Sequence, residues 1–375
     1  MNGYCQPILS HIEALTNNNP AKKLSPLGFT QMVMCCMDGS VTPLNDGNQD
    51  GHVKDLTVKY RKRPLESDVS DEPSACDTAL TKFYNEFTLP SMLYREYALF
   101  VPDSLIRQYC KDSSDFIKLN AEGAAEMQEE TSVMREVYDM FVEGGGAILK
   151  SINKALVTKM STQFGKNLVS GDNNAVALNF ALGENLMQDA LIRLMTDWRE
   201  NELCDNVCMV GNGPFANLDL IKSIFSGNNN QGIDQGKLAN MLPSVNFDKD
   251  TRTVWGNNQI GVFEKGSLAL LTRNKYVGDF ARPLGTSNFF SMKLPVNEYN
   301  CPQDCLDRMV FDIQVKEIDC PTAMNINGED VTVGPGVLIV LSKEFNLFVK
   351  PSNLYEPTDP LFGTNGTLRY EITTS

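Results

Sequence analysis

The fold is decided by residues 122–164, EGAAEMQEETSVMREVYDMFVEGGGAILKSINKALVTKMSTQF. Apolar residues recur in this stretch at three- and four-residue spacing, which predicts a long amphipathic helix. Acidic residues crowd the part before Gly144–Gly146 and lysines the part after it, a polarity that suits the helix dipole at both ends. Glycine in a helix costs roughly 1 kcal/mol relative to alanine. The glycine triple therefore marks either a break between two helices or a close approach of another backbone. The apolar residues predicted to face a β-layer are Met127, Val133, Met134, Val137, Met140 and Phe141, followed after the glycines by Ile148, Leu149, Ile152, Leu156, Val157 and Met160.

The amino-acid composition limits the classes of protein to which the chain can belong. The chain has 375 residues, of which 42% are apolar and 21% charged, so it is globular and large enough for two or three domains or one elaborated domain. Its net charge is −14. The only basic run, Arg61–Arg63, is typical of a solvated strand end rather than of a DNA-binding face. No apolar run approaches the ~20 residues that a membrane-spanning helix needs, and the first residues do not form a secretory signal.

Cysteines are the candidate metal ligands. Ten of them are dispersed along the chain, a pattern typical of reduced intracellular thiols. Cys204/Cys208 and Cys301/Cys305 each have three-residue gaps, and together they could make a four-thiolate zinc site. Structural zinc sites more often use two-residue gaps, and Cys208 adjoins an apolar strand, so we expect small buried thiols. The sequon at Asn365–Thr367 suits glycosylation, but the thiol-rich composition argues against secretion.

No pattern of residues points to catalysis. The two histidines, His11 and His52, lie in a polar segment without a nucleophile motif nearby. The glycines of GNGPFAN at 211–217 lack the spacing of a dinucleotide fingerprint and predict a turn before a helix. DGNQDG at 46–51 is typical of a loop rather than of a calcium site. We therefore predict no catalytic, cofactor-binding or metal-binding residue, no cofactor and no enzyme activity.

The remaining patterns predict an α+β chain. A strand is expected at 53–63, and a second one over 85–102 would complete a projecting hairpin around an acidic loop. A helix–strand–helix segment follows at 183–226. Residues 254–276 contain two apolar runs around Glu264–Gly266 and predict a second hairpin. The rest of the chain is rich in strands.

This order of parts resembles the major capsid proteins of tailed double-stranded DNA bacteriophages, whose fold is shared with encapsulins. The resemblance covers nearly the whole chain and rests on the order and texture of its segments. It implies a tailed-phage capsid fold with an N-arm, an E-loop, a spine helix, a peripheral domain and an axial domain. The implied limits are 1–52 for the arm, 53–101 for the E-loop hairpin, 102–182 for the peripheral domain with the spine helix, 183–290 for the axial domain and 291–375 for the β-rich return of the peripheral domain.

The resemblance also implies a function. The chain would be a structural subunit that assembles with itself into hexamers and pentamers of an icosahedral shell around double-stranded DNA, without reading its sequence. Scaffold, portal or decoration proteins are candidate partners, and the location would be the virion, assembled in the host bacterial cytoplasm without a membrane. Because the sequence begins with Met1, we expect no N-terminal segment to be removed and any scaffold to be a separate protein.

Three alternatives belong to other classes. An encapsulin-like nanocompartment would share the fold and enclose an enzyme instead of DNA. A phage tail or adhesion module would suit the strand-rich end of the chain, but it does not account for the long helix at 122–164. A hydrolase is the least favoured, because no nucleophile and base are paired in the sequence.

Overall fold

A computed structural model describes residues 28–37, 40–44, 56–66, 84–89, 92–105, 127–179, 186–203, 207–213, 245–273, 287–295 and 308–373. The helices are α1 (Gly28–Cys36), α2 (Met127–Met160), α3 (Leu186–Glu200) and α4 (Lys249–Val254). The strands are β1 (Thr42–Pro43), β2 (Leu56–Arg61), β3 (Tyr84–Leu89), β4 (Leu93–Pro102), β5 (Val176–Asn179), β6 (Val207–Gly211), β7 (Val245–Phe247), β8 (Gln259–Glu264), β9 (Leu268–Arg273), β10 (Ser287–Pro295), β11 (Arg308–Ile318), β12 (Thr322–Ile326), β13 (Glu329–Val333), β14 (Gly336–Val349) and β15 (Thr367–Thr373). This mixture confirms the α+β class.

The chain divides into two compact units. The first unit contains the described residues within 93–152 and 272–345. The second unit contains the described residues within 27–92, 153–271 and 346–375. Helix α2 and strand β14 contribute residues to both units. The predicted limits of the peripheral and axial domains, at 182/183 and 290/291, stay a prediction. None of the helices within the described residues is both long and apolar enough to cross a membrane.

The first unit is an antiparallel sheet covered by part of α2. Its strands run in the order β10, β11, β14, β4, and the long β14 is bonded on both sides. Strands β12 and β13 form a separate hairpin. Helix α2 packs on β4, where the Arg95 Nε–H donates to the Ser151 hydroxyl over 2.8 Å. The sheet and the helix enclose a core of fully or almost fully buried side chains, which includes Phe141, Ile148, Leu149, Phe311, Ile313, Ile339, Leu341 and Phe345.

Helix α2 is continuous over 34 residues. The glycine triple therefore does not break the helix, and the close neighbour of Gly144 is a side chain rather than another backbone. A Cβ placed on Gly144 would lie 2.4 Å from the ring of Tyr97 on β4. Glycine is thus needed at this position because an aromatic side chain of the sheet lies directly against the helix axis.

The predicted buried face of α2 is confirmed from Phe141 onward. Phe141 is fully buried, and the predicted residues after the glycines are at most 3% exposed, namely Ile148, Leu149, Ile152, Leu156, Val157 and Met160. Met140 is 38% exposed, so its assignment to that face is wrong. Successive helical residues are turned by about 100°, and the buried stripe includes both Phe141 and Val142, so Met140 lies beyond its edge. Met127, Val133, Met134 and Val137 lie outside the described side chains.

The second unit is built around β8. Its sheet has the order β5, β15, β8, β6, β7, in which β5/β15 and β6/β7 are parallel and the other pairs antiparallel. Every residue of β8 is buried. Helix α3 covers one face of the sheet through its apolar stripe, Ala190, Leu191, Leu194 and Trp198. The other face carries Phe263, against which Phe29 of α1 and Phe164 pack at centroid distances of 5.9 and 6.0 Å.

The hairpin predicted at 254–276 does not form, although both of its strands exist. Strand β8 pairs with β6 and β15, whereas β9 pairs with β14. At the corner between them the Ser267 hydroxyl donates to the Glu264 carbonyl over 2.6 Å. The unbroken apolar run of each strand is typical of a strand buried on both faces, and such a run does not specify which strand lies beside it.

The second strand predicted at 85–102 is in fact two strands. Strand β3 pairs with β2 and forms the expected hairpin, while β4 pairs with β14 in the other unit. The sequence carries Pro90 between them, and proline has no N–H to give to a ladder, so a change of partner at this point is physically reasonable. The inner face of the hairpin packs within its own unit, since Tyr60 and Phe87 contact the Phe348 ring at 5.2 and 6.1 Å.

Part of the predicted N-terminal arm belongs to the core of the second unit. Residues 28–36 form α1, whose side chains Phe29, Met32, Val33 and Cys36 are fully buried. These residues recur at helical spacing, a signal that the polar composition around them conceals. The segments 1–27, 38–39 and 45–55 lie outside the described residues, so the rest of the proposed arm stays a prediction.

The contact at Gly144 yields a matched pair of variants. Gly144→Ala should lower the free energy of unfolding by about 1–3 kcal/mol, because the new methyl group overpacks the contact with Tyr97. Gly146 has open space around its position. Gly146→Ala should therefore raise the free energy of unfolding by up to about 1 kcal/mol through helix propensity alone. Denaturant unfolding of the two variants checks this, and equal effects of the two substitutions would contradict the contact.

Candidate functional site: a buried polar junction around Asp248

A cluster of buried polar groups in the second unit joins three helices. Asn153 of α2 is fully buried. Its Oδ1 accepts hydrogen bonds from the N–H and the hydroxyl of Thr30 on α1, at 3.0 and 2.9 Å. Its Nδ2 donates to Asp248 Oδ2 and to Asp250 Oδ2, both at 2.8 Å. One amide side chain thus connects α1, α2 and the start of α4.

Asp248 satisfies the N-termini of two helices. Its Oδ2 accepts from the Phe29 N–H of α1 at 2.7 Å, and its Oδ1 accepts from the Asp250 N–H of α4, again at 2.7 Å. Asp248 is also the N-cap residue of α4. Free N–H groups at helix starts need acceptors when they are buried, and a carboxylate is the strongest available. The junction therefore fixes the first turn of α1 against α4.

The backbone around Gly28 shows how tightly α1 is seated. A Cβ at this position would lie 2.0 Å from the Phe247 carbonyl oxygen. Only glycine allows the start of α1 to approach the end of β7 this closely. The network continues beyond Asp248, because Thr251 Oγ1 donates to the Asp248 carbonyl at 2.7 Å and accepts from Asn212 Nδ2 at 2.9 Å.

Burial sets the ionisation of the junction. Desolvation raises the pKa of the Asp248 carboxyl, and the N–H donors from Phe29, Asn153 and Asp250 oppose that rise. The nearby Asp250 charge adds to the increase. The groups of the junction are amides, a threonine hydroxyl and carboxylates bonded to N–H donors. Such an arrangement holds helices together, and it presents no activated nucleophile beside a base.

Most residues that the sequence singled out lie elsewhere or outside the described residues. His11, His52, Cys204, Cys301, Cys305 and residues 46–51 are not described. Cys208 is described, and its neighbour is Cys36 of α1. Across the described part of the chain, no group of three or more His, Cys, Asp or Glu side chains could hold a metal ion. The zinc hypothesis therefore gains no support from Cys208.

The sequon at Asn365 has a structural role. Asn365 is only 3% exposed, and its Nδ2, the atom that glycosylation would modify, donates to the Gln163 carbonyl at 2.9 Å. Its Oδ1 accepts from the Thr367 N–H and hydroxyl at 3.1 and 2.7 Å. The side chain thus ties the turn before β15 to the segment after α2.

Two lysines contact sheet strands, one of them buried and the other partly buried. In the first unit, Lys343 of β14 is 2% exposed and its Nζ donates to the Val310 carbonyl at 2.6 Å. Burial lowers the pKa of Lys343 to about 8, although the Asp312 carboxylate opposes the fall. In the second unit, Lys159 of α2 donates to Asn346 Oδ1 and to the Leu347 carbonyl, both at 2.7 Å, and burial also lowers its pKa.

Two more titratable residues of the second unit are buried, one on α3 and one on β15. Asp197 is 3% exposed and Tyr370 of β15 is fully buried. Desolvation raises the pKa of Asp197, and desolvation together with the Asp197 charge raises the pKa of the Tyr370 hydroxyl. Close by, Asn201 Nδ2 donates to Asn167 Oδ1 at 2.9 Å. Burial thus disfavours the charged forms of both residues.

Sequence reasoning missed Asp248 and Asn153, although both left signals. Asp248 immediately precedes a short helical segment, which is the preferred place for a capping aspartate. Asn153 lies on the apolar stripe of α2, next to Ile152, where a polar side chain requires a hydrogen-bonding partner. The identity of that partner depends on residues about a hundred positions away, so the local pattern does not reveal it.

Comparisons with known proteins give similarity to solved structures only. No family model and no curated protein matches the chain. The chain is similar to a structure from Mycobacterium phage Adephagia, with 11% identity over 95% of this chain and 92% of the other and a TM-score of 0.39. It is similar to the capsid asymmetric unit of cyanophage A-1(L), with 12% identity over 96% and 100% of the two chains and a TM-score of 0.39. It is also similar to a virus-like particle from Pyrococcus furiosus, with 9% identity over 98% and 100% and a TM-score of 0.36.

The junction predicts unequal effects of two neighbouring substitutions. In Asp248→Asn the new NH₂ group faces an N–H donor whichever way the amide is turned, so the free energy of unfolding should fall by about 1–3 kcal/mol. Asp250 receives one side-chain bond, from Asn153. Asp250→Asn keeps an oxygen that can accept this bond and should cost less. Thermal unfolding of both variants is the measurement, and an Asp250→Asn effect as large as that of Asp248→Asn would contradict the assignment.

The lowered pKa of the buried Lys343 leads us to expect that the stability of the fold depends on pH. Its folded pKa of about 8 lies below the ordinary value of 10.5, so between these pH values the unfolded state binds more protons. The free energy of unfolding should therefore rise with pH across this window, by up to roughly 3 kcal/mol. Lys343→Met should remove that rise. Denaturant unfolding at several pH values between 7.5 and 10.5 compares the two chains, and parallel pH profiles would show that Lys343 is not desolvated.

Proposed function

We propose that this chain is the structural subunit of an icosahedral phage capsid, which assembles with itself into hexamers and pentamers around double-stranded DNA. The observation that carries the proposal is the order of its elements. The hairpin β2–β3 precedes β4 and the 34-residue helix α2, and the chain then builds the sheet around β8 before it returns to the sheet of the first unit. This is the order on which the resemblance to tailed-phage capsid proteins rests.

The hairpin β2–β3 has the features expected of a surface that contacts another subunit. Along β3 the side chains alternate, so that Tyr84, Glu86 and Thr88 are exposed while Leu89 is buried. Within the described residues, β3 pairs only with β2 and therefore presents one unpaired edge. A free edge with an exposed aromatic side chain is a ready surface for a neighbouring protein. We assign this edge to contact with another copy of the chain.

The net charge of the chain is compatible with a wall that encloses DNA and does not favour tight binding to DNA. The net charge is −14, and a protein that neutralises many phosphates needs a surface rich in lysine and arginine. A shell wall needs no such surface, because DNA is retained by closure. On this proposal the chain resides in the virion, is assembled in the host bacterial cytoplasm, and meets scaffold, portal or decoration proteins there. Its role is structural rather than enzymatic.

Assembly is the direct expectation of the proposal. The purified full-length chain, alone or co-expressed with its scaffold, should form hexamers, pentamers or closed shells in electron micrographs. DNA inside particles formed in infected cells supports the capsid, whereas an enzyme cargo in particles without DNA supports an encapsulin-like nanocompartment. A species that stays monomeric by light scattering at every concentration, with and without scaffold, would refute the proposal.

Two variants of β3 separate assembly from folding. Tyr84→Lys changes the exposed face of the hairpin. It also loses the contact of the Tyr84 ring with the Lys59 ammonium at 4.6 Å, so the melting temperature of the isolated subunit should fall slightly while the yield of particles falls strongly. Phe87→Ala removes the ring that packs on Phe348 and should lower the free energy of unfolding by roughly 1–3 kcal/mol. If Tyr84→Lys forms particles in normal yield, the edge of the hairpin is not part of the proposed contact between subunits.

A further inference from the structure

Two cysteines meet beneath the C-terminal end of α1. Cys36 is the last residue of this helix and is fully buried, and its Sγ lies 3.7 Å from the Phe263 carbonyl oxygen on β8. Cys208 lies on β6 directly opposite Phe263 in the antiparallel register of β6 and β8. Both cysteines therefore border the same residue, and α1 packs directly on β6.

The two side chains also contact each other. The Cys36 thiol donates to the Phe263 carbonyl, and its sulfur also lies within reach of the Cys208 side chain, near which the Lys265 ammonium lies. The neighbouring Cys36 side chain and the positive charge lower the pKa of Cys208, while burial opposes them. A sulfur with increased thiolate character is the attacking group in thiol–disulfide exchange. Cys208 is partly exposed and Cys36 is buried, so an external oxidant reaches Cys208 first.

We propose that Cys36 and Cys208 form an intramolecular disulfide when the chain meets a disulfide oxidant such as oxidised glutathione. The Cys208 thiolate attacks one sulfur of the oxidant, forms a mixed disulfide and releases one glutathione thiolate. The Cys36 thiol then loses its proton and attacks the Cys208 sulfur, which releases the second glutathione thiolate. Two electrons pass from the two protein thiols to the oxidant, which is reduced to two molecules of glutathione.

The bond would fix α1 to the sheet covalently. It joins positions 36 and 208, which are far apart in the sequence, and cross-links that close long loops restrict the unfolded chain most strongly. The reduced chain already holds α1 through Asp248 and Asn153, so the disulfide would reinforce an existing contact. The inference rests on the contacts of the second unit and is independent of the proposed function. In a capsid, the bond would form after release of the particle into oxidising surroundings.

The test uses the full-length isolated subunit. The reduced chain is incubated with oxidised glutathione under native conditions, then denatured and alkylated with N-ethylmaleimide, and its intact mass is measured. Two of the ten cysteines should escape alkylation, and peptide mapping should recover a cross-linked pair that contains positions 36 and 208. The melting temperature of the oxidised chain should rise above that of the reduced chain, and dithiothreitol should abolish the difference.

Variants identify the partners. Cys208→Ser and Cys36→Ala should each abolish the cross-linked peptide and the rise in melting temperature, and Cys36→Ala should stop at the mixed disulfide of Cys208 with glutathione. Cys35→Ser, Cys204→Ser and Cys320→Ser serve as controls and should change neither. Circular dichroism of the reduced Cys208→Ser chain verifies that it is folded, and the partly exposed position of Cys208 makes this the safer of the two variants. Full alkylation of the wild-type chain after oxidation, or a bond mapped to Cys35 or Cys204, would overturn the proposal.

Discussion

The second unit depends on one buried carboxylate. Asp248 accepts hydrogen bonds from the Phe29 N–H of α1, the Asn153 side chain of α2 and the Asp250 N–H of α4. The Phe29 N–H would be buried without an acceptor if Asp248 were apolar, and an unpaired buried donor costs about 1–3 kcal/mol. The carboxylate therefore decides where α1 lies, and α1 in turn decides whether the central sheet is covered.

Strand β8 shows why that cover is required. All of its residues are buried, with α3 on one face of the sheet and an aromatic group on the other. Phe29 contributes to that aromatic group, meeting the Trp255 and Phe263 rings edge-on at 5.8 and 5.9 Å. Trp255 is held in place by its Nε1–H, which donates to the Val157 carbonyl of α2 at 3.1 Å. The apolar stretch around β8 is therefore the packed centre of a folding unit, and its patterning serves packing.

Sequence patterns predicted the type of most elements and the pairing of β2 with β3, but not the partners of β4, β8 and β9. The period of α2 and the apolar runs of β8 and β9 follow from local spacing, and the structure contains all three elements. Local spacing does not indicate that β8 and β9 belong to different sheets, because strand pairing is decided by contacts across the whole chain. Helix α1 was missed for another reason: its four buried residues lie among polar residues, glycines and prolines, which lowered the apparent capacity of the segment to form a core.

Hydrogen exchange at the start of α1 tests the central claim, that Asp248 and Asn153 bind this helix within one subunit. The amides of Phe29 and Thr30 donate to these two side chains at 2.7 and 3.0 Å. In the isolated, unassembled subunit we expect both amides to exchange as slowly as those of β8, because they open only when the second unit unfolds. Exchange of Phe29 and Thr30 within seconds, while β8 stays protected, would show that α1 is not part of the folded unit and would contradict the account.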